Sequence, residues 1–163
     1  FDPSVPEDLV YSGSYDLTSP APGTPLDMGK LVLSPTRTYA PIMAALLKEN
    51  RAAIHGLVHC SGGAQTKVLH FIDNLHVIKD NLFETPPLFK IIQEESGTDW
   101  KEMYKVFNMG HRMEVYLDEK WADQVIAIAA NFGVEAKVIG RVTDHQGKKV
   151  TVNSQHGTFT YEG

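Results

Sequence analysis

The sequence predicts an α+β domain in which helices pack on a mixed β-sheet. Three observations lead to this prediction. The chain has 163 residues, enough for one ordinary domain. Hydrophobic residues make up 42% and charged residues 21%, which is typical of globular proteins. Segments with strand and helix patterns follow one another in the order β-α-β-α-β-α-α-β-α-β-β-β, which is related to a split βαβ arrangement.

The elements of the first half are recognised by their apolar periods and by the residues that stop them. They are strands at 30–35, 53–60 and 75–79 and helices at 38–50 and 64–71. Pro35 ends the first strand, because proline cannot continue a sheet ladder. Thr38 is the expected N-cap of the next helix, and Pro41 lies in its first turn, where a missing N–H costs little.

The second half continues with the same signals. Its expected elements are helices at 86–97, 99–108 and 119–132 and strands at 111–117 and 134–142, followed by two short strands within 144–162. Gly97 closes the first of these helices and Asp118 caps the last. In the strand at 111–117, Met113, Val115 and Leu117 alternate with polar residues, as in a half-buried strand.

Charge and cysteine content limit the class of protein. The formal charge of −5 argues against nucleic acid or an anionic membrane as the main partner. No apolar run approaches the ~20 residues needed to span a bilayer. Cys60 is the only cysteine and cannot form an internal disulfide, so a cytoplasmic location is expected. Residues 1–28 lack an initiator Met and are rich in Pro and Gly, which predicts a linker or extended arm before a domain at 29–163.

The stretch IHGLVHCSGGAQTKVLHF, residues 54–71, allows three kinds of site. A nucleophilic Cys–His pair is disfavoured, since His59 and Cys60 are adjacent in a strand and point to opposite faces. A metal site is disfavoured, because His55 and His59 would lie about 13 Å apart along a strand. An anion-binding turn fits best, since Gly62 and Gly63 let a phosphate approach unpaired backbone N–H groups before a helix. A tight turn without function is the open alternative.

Two other turns carry candidate ligand-binding residues. The sequence SPTRTY places Thr36 and Arg37 at a strand end, where Arg37 could clamp a phosphate or carboxylate, or simply be a solvated arginine. The sequence VFNMGHRM breaks at 108–110. There Asn108, the Gly110 amide and His111 could face a ligand, or Gly110 could only end a helix.

Four stretches together resemble one family. LVLSPTRTYAP, IHGLVHCSGGAQTKVLHF, EMYKVFNMGHRMEVYL and AKVIGRV are similar to the C-terminal domain of aminoimidazole ribonucleotide (AIR) synthetase, or phosphoribosylformylglycinamidine cyclo-ligase, in order and in spacing. The resemblance covers most of residues 29–142. It implies an α+β fold like that C-terminal domain, partly related to a ferredoxin-like arrangement. It also implies that ATP phosphorylates the formyl amide oxygen of formylglycinamidine ribonucleotide before the imidazole ring closes.

The resemblance implies which residues surround the substrate. The turn Ser61-Gly62-Gly63-Ala64 would face the substrate or phosphate cleft. The residues implied around it are Thr36, Arg37, His59, Asn108, Gly110 and His111, of which His59 and Asn108 are candidates for a catalytic role. The family usually has glycine where Ala64 stands and smaller residues where His111 and Arg112 stand. His111 and Arg112 are expected to supply compensating positive charge.

The resemblance also implies cofactors and partners. ATP and Mg²⁺ would serve the full-length enzyme and bind largely to an N-terminal domain that nothing in these residues resembles. No metal ligands and no tightly bound cofactor are expected in this chain, which would be inactive alone. A homodimer is expected at full length. The alternatives are a related ATP-dependent enzyme, of the selenophosphate synthetase or thiamine monophosphate kinase type, and a non-catalytic module that binds a phosphate ligand.

Overall fold

The computed structural model describes residues 3, 4, 6, 13–35 and 37–163. The chain divides into two compact units. The first comprises the described residues among 1–36 together with 86–98, and the second comprises 37–85 and 99–163. No helix in the described ranges is long and apolar enough to cross a membrane. The expected boundary between an arm and a domain at residues 28 and 29 stays a prediction.

Five α-helices and six β-strands occur in the described residues. The helices are α1 (Met28–Val32), α2 (Ala40–Asn50), α3 (Pro87–Ser96), α4 (Trp100–Val106) and α5 (Ala122–Ala130). The strands are β1 (Ile54–His59), β2 (Leu75–Lys79), β3 (Met113–Leu117), β4 (Gly140–Asp144), β5 (Lys148–Ser154) and β6 (Gly157–Glu162). Short 3₁₀ helices span Arg51–Ala53, Ala64–His70 and Glu119–Trp121.

The first unit contains α1 and α3. The strand expected at 30–35 is wrong, because this segment begins in α1. Asp27 is the cause: its carboxylate accepts a hydrogen bond from the Lys30 N–H at 2.7 Å and nucleates a helical turn. The helix expected at 86–97 is confirmed as α3. Its end is the expected one, with Gly97 in the left-handed conformation (φ 64°) and its N–H bonded to the Gln93 carbonyl.

The second unit holds all six strands in two sheets. β1 and β3 form an antiparallel pair in which Val58 lies opposite Glu114. The other four strands form a sheet in the order β4-β2-β5-β6, where β2 and β5 are parallel and the other neighbours antiparallel. Val150 and Val152 of β5 are fully buried on its inner face. The predicted class, an α+β fold with a mixed sheet, is confirmed.

Helices α2 and α5 pack together through a small apolar core. Ile42 and Leu46 of α2 and Ile128 of α5 are its buried members, as the helical period of residues 38–50 predicts. The expected N-cap is wrong by one residue, since Tyr39 holds that position and no side chain caps the helix. The helix begins at Ala40, two residues after Thr38. The Thr38 hydroxyl therefore accepts only a long hydrogen bond from the Ala40 N–H, at 3.4 Å.

The strand expected at 134–142 begins only at Gly140. Residues 134–139 are irregular because the end of α5 uses the Gly133 and Val134 N–H groups to bond carbonyls of its last turn. Further on, the Ile139 carbonyl accepts two N–H groups from the loop after β2. Gly140 then starts β4 so close to β2 that an added Cβ would lie 1.9 Å from the Ile78 carbonyl oxygen.

Candidate functional site

The turn after β1 has the open backbone that an anion site requires. Pairing with β3 continues one residue past β1, where the Cys60 N–H donates to the Arg112 carbonyl at 2.9 Å. The chain then reverses through Gly62 (φ 64°), Gly63 (φ 112°) and Ala64 (φ 43°), all with positive φ. Within the described residues, the Gly62 and Gly63 N–H groups donate no hydrogen bond. These two amides are therefore available to a ligand at a solvent-exposed turn.

The helix expected at 64–71 is a 3₁₀ helix, Ala64–His70, and not an α-helix. The Thr66 N–H and hydroxyl both donate to the Gly63 carbonyl at 2.8 Å, which tightens the first turn. A helix this short has a small dipole, so the expected attraction of an anion to a positive helix end is weak here. Any anion binding at this turn therefore depends on the amides themselves.

The second turn, Asn108–His111, is closed by its own hydrogen bonds. The Asn108 side-chain oxygen accepts from the Gly110 N–H at 2.9 Å, and the Asn108 carbonyl accepts from the His111 N–H at 2.9 Å. The Gly110 amide thus already has an acceptor in Asn108, and its expected contact with a ligand stays a prediction. α4 also ends before this turn, at Val106, so Gly110 does not close the helix.

Gln65 joins the two turns. It follows Ala64 directly, and its side-chain Nε2 donates to the Asn108 carbonyl at 2.7 Å. Gln65 and Ala64 are both fully buried, which anchors one side of the Ser61–Ala64 turn while Ser61 and Gly62 stay exposed. The structure thus brings together two of the three turns that the sequence singled out.

His111 is a buried neutral imidazole. Its Nε2 accepts from the Phe83 N–H at 3.0 Å, and its Nδ1 lies 3.2 Å from the Met109 carbonyl, to which it donates. Burial first, and the nearby Lys79 ammonium second, lower the pKa of His111 to about 4. The expected positive charge at His111 is therefore wrong, because the ring is only 4% exposed and uncharged near neutral pH.

The Cys60 thiol is not an active nucleophile. Cys60 is buried and His59 is exposed, so the two side chains lie on opposite faces of the strand, as expected. Burial first, and the Glu114 carboxylate second, raise the pKa of Cys60 to about 12, which keeps the thiol protonated. His55 lies 3.3 Å from Asp118, far along the strand from His59.

Arg37 belongs to another part of the second unit. Its Nη1 donates to the Gly133 carbonyl at 3.0 Å, just after α5, and none of the hydrogen bonds among the described residues joins it to the Ser61–Ala64 turn. The companion residue Thr36 lies outside the described residues. Of the residues expected around the substrate, the structure therefore groups those at 59–64 with those at 108–111, and leaves Arg37 with α5.

A buried polar network behind the two turns was not predicted from the sequence. Lys79, at the end of β2, forms an ion pair with Glu114 of β3, and the two residues are 1% and 6% exposed. The Lys79 ammonium also donates to the Gln65 carbonyl at 2.8 Å and to its side-chain oxygen at 3.1 Å. The Tyr116 hydroxyl donates to the other Glu114 oxygen at 2.6 Å. Every donor of the ammonium is thereby paired.

This network was missed because the alternating pattern of β3 led to a wrong prediction of which residues are buried. The pattern assigned Glu114 to the exposed face, but Glu114 is the most buried residue of the strand. Burial first, and the Glu114 charge second, raise the pKa of Tyr116 well above its usual range, so its hydroxyl stays a donor. In the sequence, the signal was a single lysine in β2 and a single glutamate in β3, two mostly apolar strands, and it did not reveal that the two side chains meet.

Comparisons with known proteins agree on one family. The family model described as "AIR synthase related protein, C-terminal domain" matches residues 20–153. The phosphoribosylformylglycinamidine cyclo-ligase of Methanocaldococcus jannaschii is 37% identical over 123 residues, which are 73% of this chain and 35% of that protein. The cyclo-ligase of Methanobrevibacter smithii is 31% identical over 150 residues, which are 92% of this chain and 43% of that protein.

A solved structure has a similar fold. The crystal structure of E. coli HypE, a hydrogenase maturation protein, matches with a TM-score of 0.56 at 17% sequence identity, over 84% of this chain and 44% of HypE. At this identity the likeness concerns the fold alone. The chain spans only 35% and 43% of the length of the two cyclo-ligases described above.

Proposed function

We infer the function from the premise that this chain belongs to the AIR synthase related family, as its C-terminal domain. The resemblance stated from the sequence is thereby confirmed. We propose that the whole protein is a phosphoribosylformylglycinamidine cyclo-ligase of purine biosynthesis, to which this chain contributes the C-terminal part. The observation that carries the proposal is the identity of 31–37% to proteins of that name over most of this chain.

The reaction assigned to the whole protein consumes ATP. ATP phosphorylates the formyl amide oxygen of formylglycinamidine ribonucleotide, the amidine nitrogen attacks the activated carbon, and phosphate leaves as the imidazole ring closes. The products are aminoimidazole ribonucleotide, ADP and phosphate. The negative charge of the chain requires that any phosphate be bound by local donors and not by a broad basic surface.

This chain supplies phosphate-binding donors at the Ser61–Ala64 turn. Within the described residues, the amides of Gly62 and Gly63 donate to no acceptor, and the preceding Ser61 carries a hydroxyl that offers a third donor. Asn108 is held against this turn through Gln65, and its side-chain NH₂ group donates no hydrogen bond within the described residues. His59 stands exposed at the end of β1 and adds a proton donor or acceptor at the rim.

In the described ranges, no group of three or more His, Cys, Asp or Glu side chains could hold a metal ion. The residues that the structure describes therefore offer no such group to Mg²⁺, and we derive no step through it. In line with the resemblance, we propose that ATP and Mg²⁺ bind largely to a part of the protein outside this chain. The homodimer and the cytoplasmic location likewise belong to the proposal for the full-length protein.

A matched pair of glycine variants tests the turn. Gly62 and Gly133 both have φ +64°, and an added Cβ would meet nothing within 4 Å at either position. Gly62→Ala and Gly133→Ala should therefore cost the same stability, about 1 kcal/mol. Only Gly62→Ala places a methyl group beside the proposed phosphate. In the full-length protein it should raise KM for the ribonucleotide about tenfold, with kcat little changed.

The assay follows formation of aminoimidazole ribonucleotide and ADP by the full-length protein. Equal KM values for Gly62→Ala and Gly133→Ala would show that the Ser61–Ala64 turn is not part of the binding site. Absence of ring closure in the unmodified protein, with ATP and formylglycinamidine ribonucleotide supplied, would overturn the proposed activity itself.

A further inference from the structure

The buried Lys79–Glu114 ion pair lies where the two sheets of the second unit meet. Lys79 is the last residue of β2, in the four-stranded sheet, and Glu114 belongs to β3, in the two-stranded sheet. Replacing such a pair by apolar residues is often neutral or stabilising, because both charges give up their hydration. Stability alone therefore gives no reason for an ion pair at this junction.

The ammonium of Lys79 determines which way the Gln65 side chain points. An ammonium group only donates, so the Gln65 side-chain oxygen must face Lys79, at 3.1 Å. The NH₂ end of the same amide then faces the other way, where it meets the Asn108 carbonyl at 2.7 Å. The Gln65 backbone carbonyl is bonded to the same ammonium at 2.8 Å. Lys79 therefore fixes both the main chain and the side chain of the residue that joins the two turns.

Glu114 holds the ammonium in this place. One carboxylate oxygen receives Lys79, and the other receives the Tyr116 hydroxyl at 2.6 Å. We propose that the Lys79–Glu114 ion pair, acting through Gln65, is a positioning device that sets the Ser61–Ala64 turn against the Asn108–His111 turn. The proposal rests on the proposed function only in taking the Ser61–Ala64 turn as the phosphate site.

Three variants of the 163-residue chain separate positioning from stability. Glu114→Gln leaves the Lys79 ammonium without a counter-charge. The double variant Lys79→Met/Glu114→Leu removes both charges, but it leaves the two Gln65 oxygens and the Tyr116 hydroxyl without these partners. Its urea midpoint should therefore lie above that of Glu114→Gln and below that of the wild type. Tyr116→Phe removes one hydrogen bond to Glu114 and leaves the bonds of Lys79 to Gln65 in place. It is the matched control.

Two amides report on the turns. The Thr66 N–H is bonded to the Gly63 carbonyl, and the His111 N–H is bonded to the Asn108 carbonyl. In the double variant, hydrogen exchange at both amides should be about tenfold faster or more, because the charged anchor of Gln65 is gone. The Val150 N–H, in β5, lies opposite Val77 of β2 and Tyr161 of β6, and it should change only with the urea midpoint. Tyr116→Phe should leave exchange at Thr66 and His111 unchanged relative to Val150.

The affinity for inorganic phosphate is a second measurement, and it does not depend on the stability of the fold. Without urea, where both chains are folded, the double variant should bind phosphate about tenfold more weakly than the wild type. If it keeps the slow exchange at Thr66 and His111, relative to Val150, together with the wild-type affinity, the ion pair does not position the turns. If the wild-type chain binds no phosphate, the proposed phosphate site fails. The exchange measurement then decides the positioning proposal separately, even if Glu114→Gln does not fold.

Discussion

The buried His111 should make this chain less stable in acid, and the substitution His111→Gln should remove this contribution. In the unfolded chain His111 has its ordinary pKa of 6.5, whereas in the folded chain burial and the nearby Lys79 lower its pKa to about 4. As the pH falls below 6.5, His111 becomes protonated in the unfolded chain but stays neutral in the folded chain. The free energy of unfolding therefore falls between pH 6.5 and 4, and this contribution is constant below pH 4.

The size of the effect follows from the two pKa values. At about 1.4 kcal/mol per pH unit, the interval from 6.5 to about 4 amounts to a loss of about 3 kcal/mol. The groups that act on His111 are Lys79 and Lys137, which oppose its protonation, and Glu114 and the Met109 carbonyl, which favour it. Burial outweighs all of these, so the sign is a loss of stability in acid.

The assay is urea denaturation of the wild type and His111→Gln at intervals from pH 7 to pH 4. A glutamine keeps an acceptor for the Phe83 N–H but does not titrate. The wild type should lose about 3 kcal/mol more than His111→Gln over this range, since contributions of other groups cancel in the difference. His59→Gln, at an exposed histidine, is the control and should lose as much as the wild type. Parallel curves for the wild type and His111→Gln would refute the reasoning.

Three further predictions concern stability measured by urea denaturation. Gly63→Ala should lower the free energy of unfolding by about 2 kcal/mol, and Gly62→Ala by about 1 kcal/mol. The difference is expected because φ of Gly63, 112°, lies outside the left-handed region that alanine can adopt, whereas φ of Gly62, 64°, lies within it. Equal losses would contradict these backbone angles. Gly140→Ala should cost about 3 kcal/mol or more, since its Cβ would lie 1.9 Å from the Ile78 carbonyl oxygen; a neutral variant would show that β4 does not approach β2 so closely. Tyr161→Phe should cost about 1 kcal/mol, because it removes a 2.6 Å hydrogen bond to a carbonyl at the start of α4; an unchanged midpoint would mean that water replaces this bond at no cost.

The parts of the fold that the sequence predicted are those with local causes. A helical period marked α2, and a C-terminal glycine marked α3. Two short strands were expected within residues 144–162, and β5 and β6 form an antiparallel pair there. Each signal lies within a few residues of the element that it specifies.

The two strands that were predicted wrongly lie where specific hydrogen bonds override the local sequence pattern. Residues 30–35 are apolar enough for a strand, but the cap at Asp27 starts a helix instead. Residues 134–139 have a strand-like composition, but the end of α5 and the loop after β2 take their hydrogen-bonding groups. In both cases one or two hydrogen bonds outweigh a weak preference for extended backbone.

The turn geometry at residues 61–64 was predicted from the sequence, whereas the buried network beside it was missed; the binding role of the turn stays a prediction. The Ser61–Ala64 turn was found because two glycines interrupt an apolar strand. The pairing of Lys79 with Glu114 joins residues 35 positions apart through two different sheets, and no local pattern encodes that meeting. The burial of His111 was missed for the same reason, since Phe83 approaches it from a distant loop.

The central claim is that the Ser61–Ala64 turn binds a phosphate group of the substrate. The most direct test is titration of the ¹⁵N-labelled chain with ribose 5-phosphate and with inorganic phosphate, followed through the backbone amides by NMR. We expect saturable shifts at Gly62 and Gly63, with smaller shifts at the Asn108–His111 turn. Shifts confined to surface lysines such as Lys148, with the two glycine amides unmoved, would contradict it.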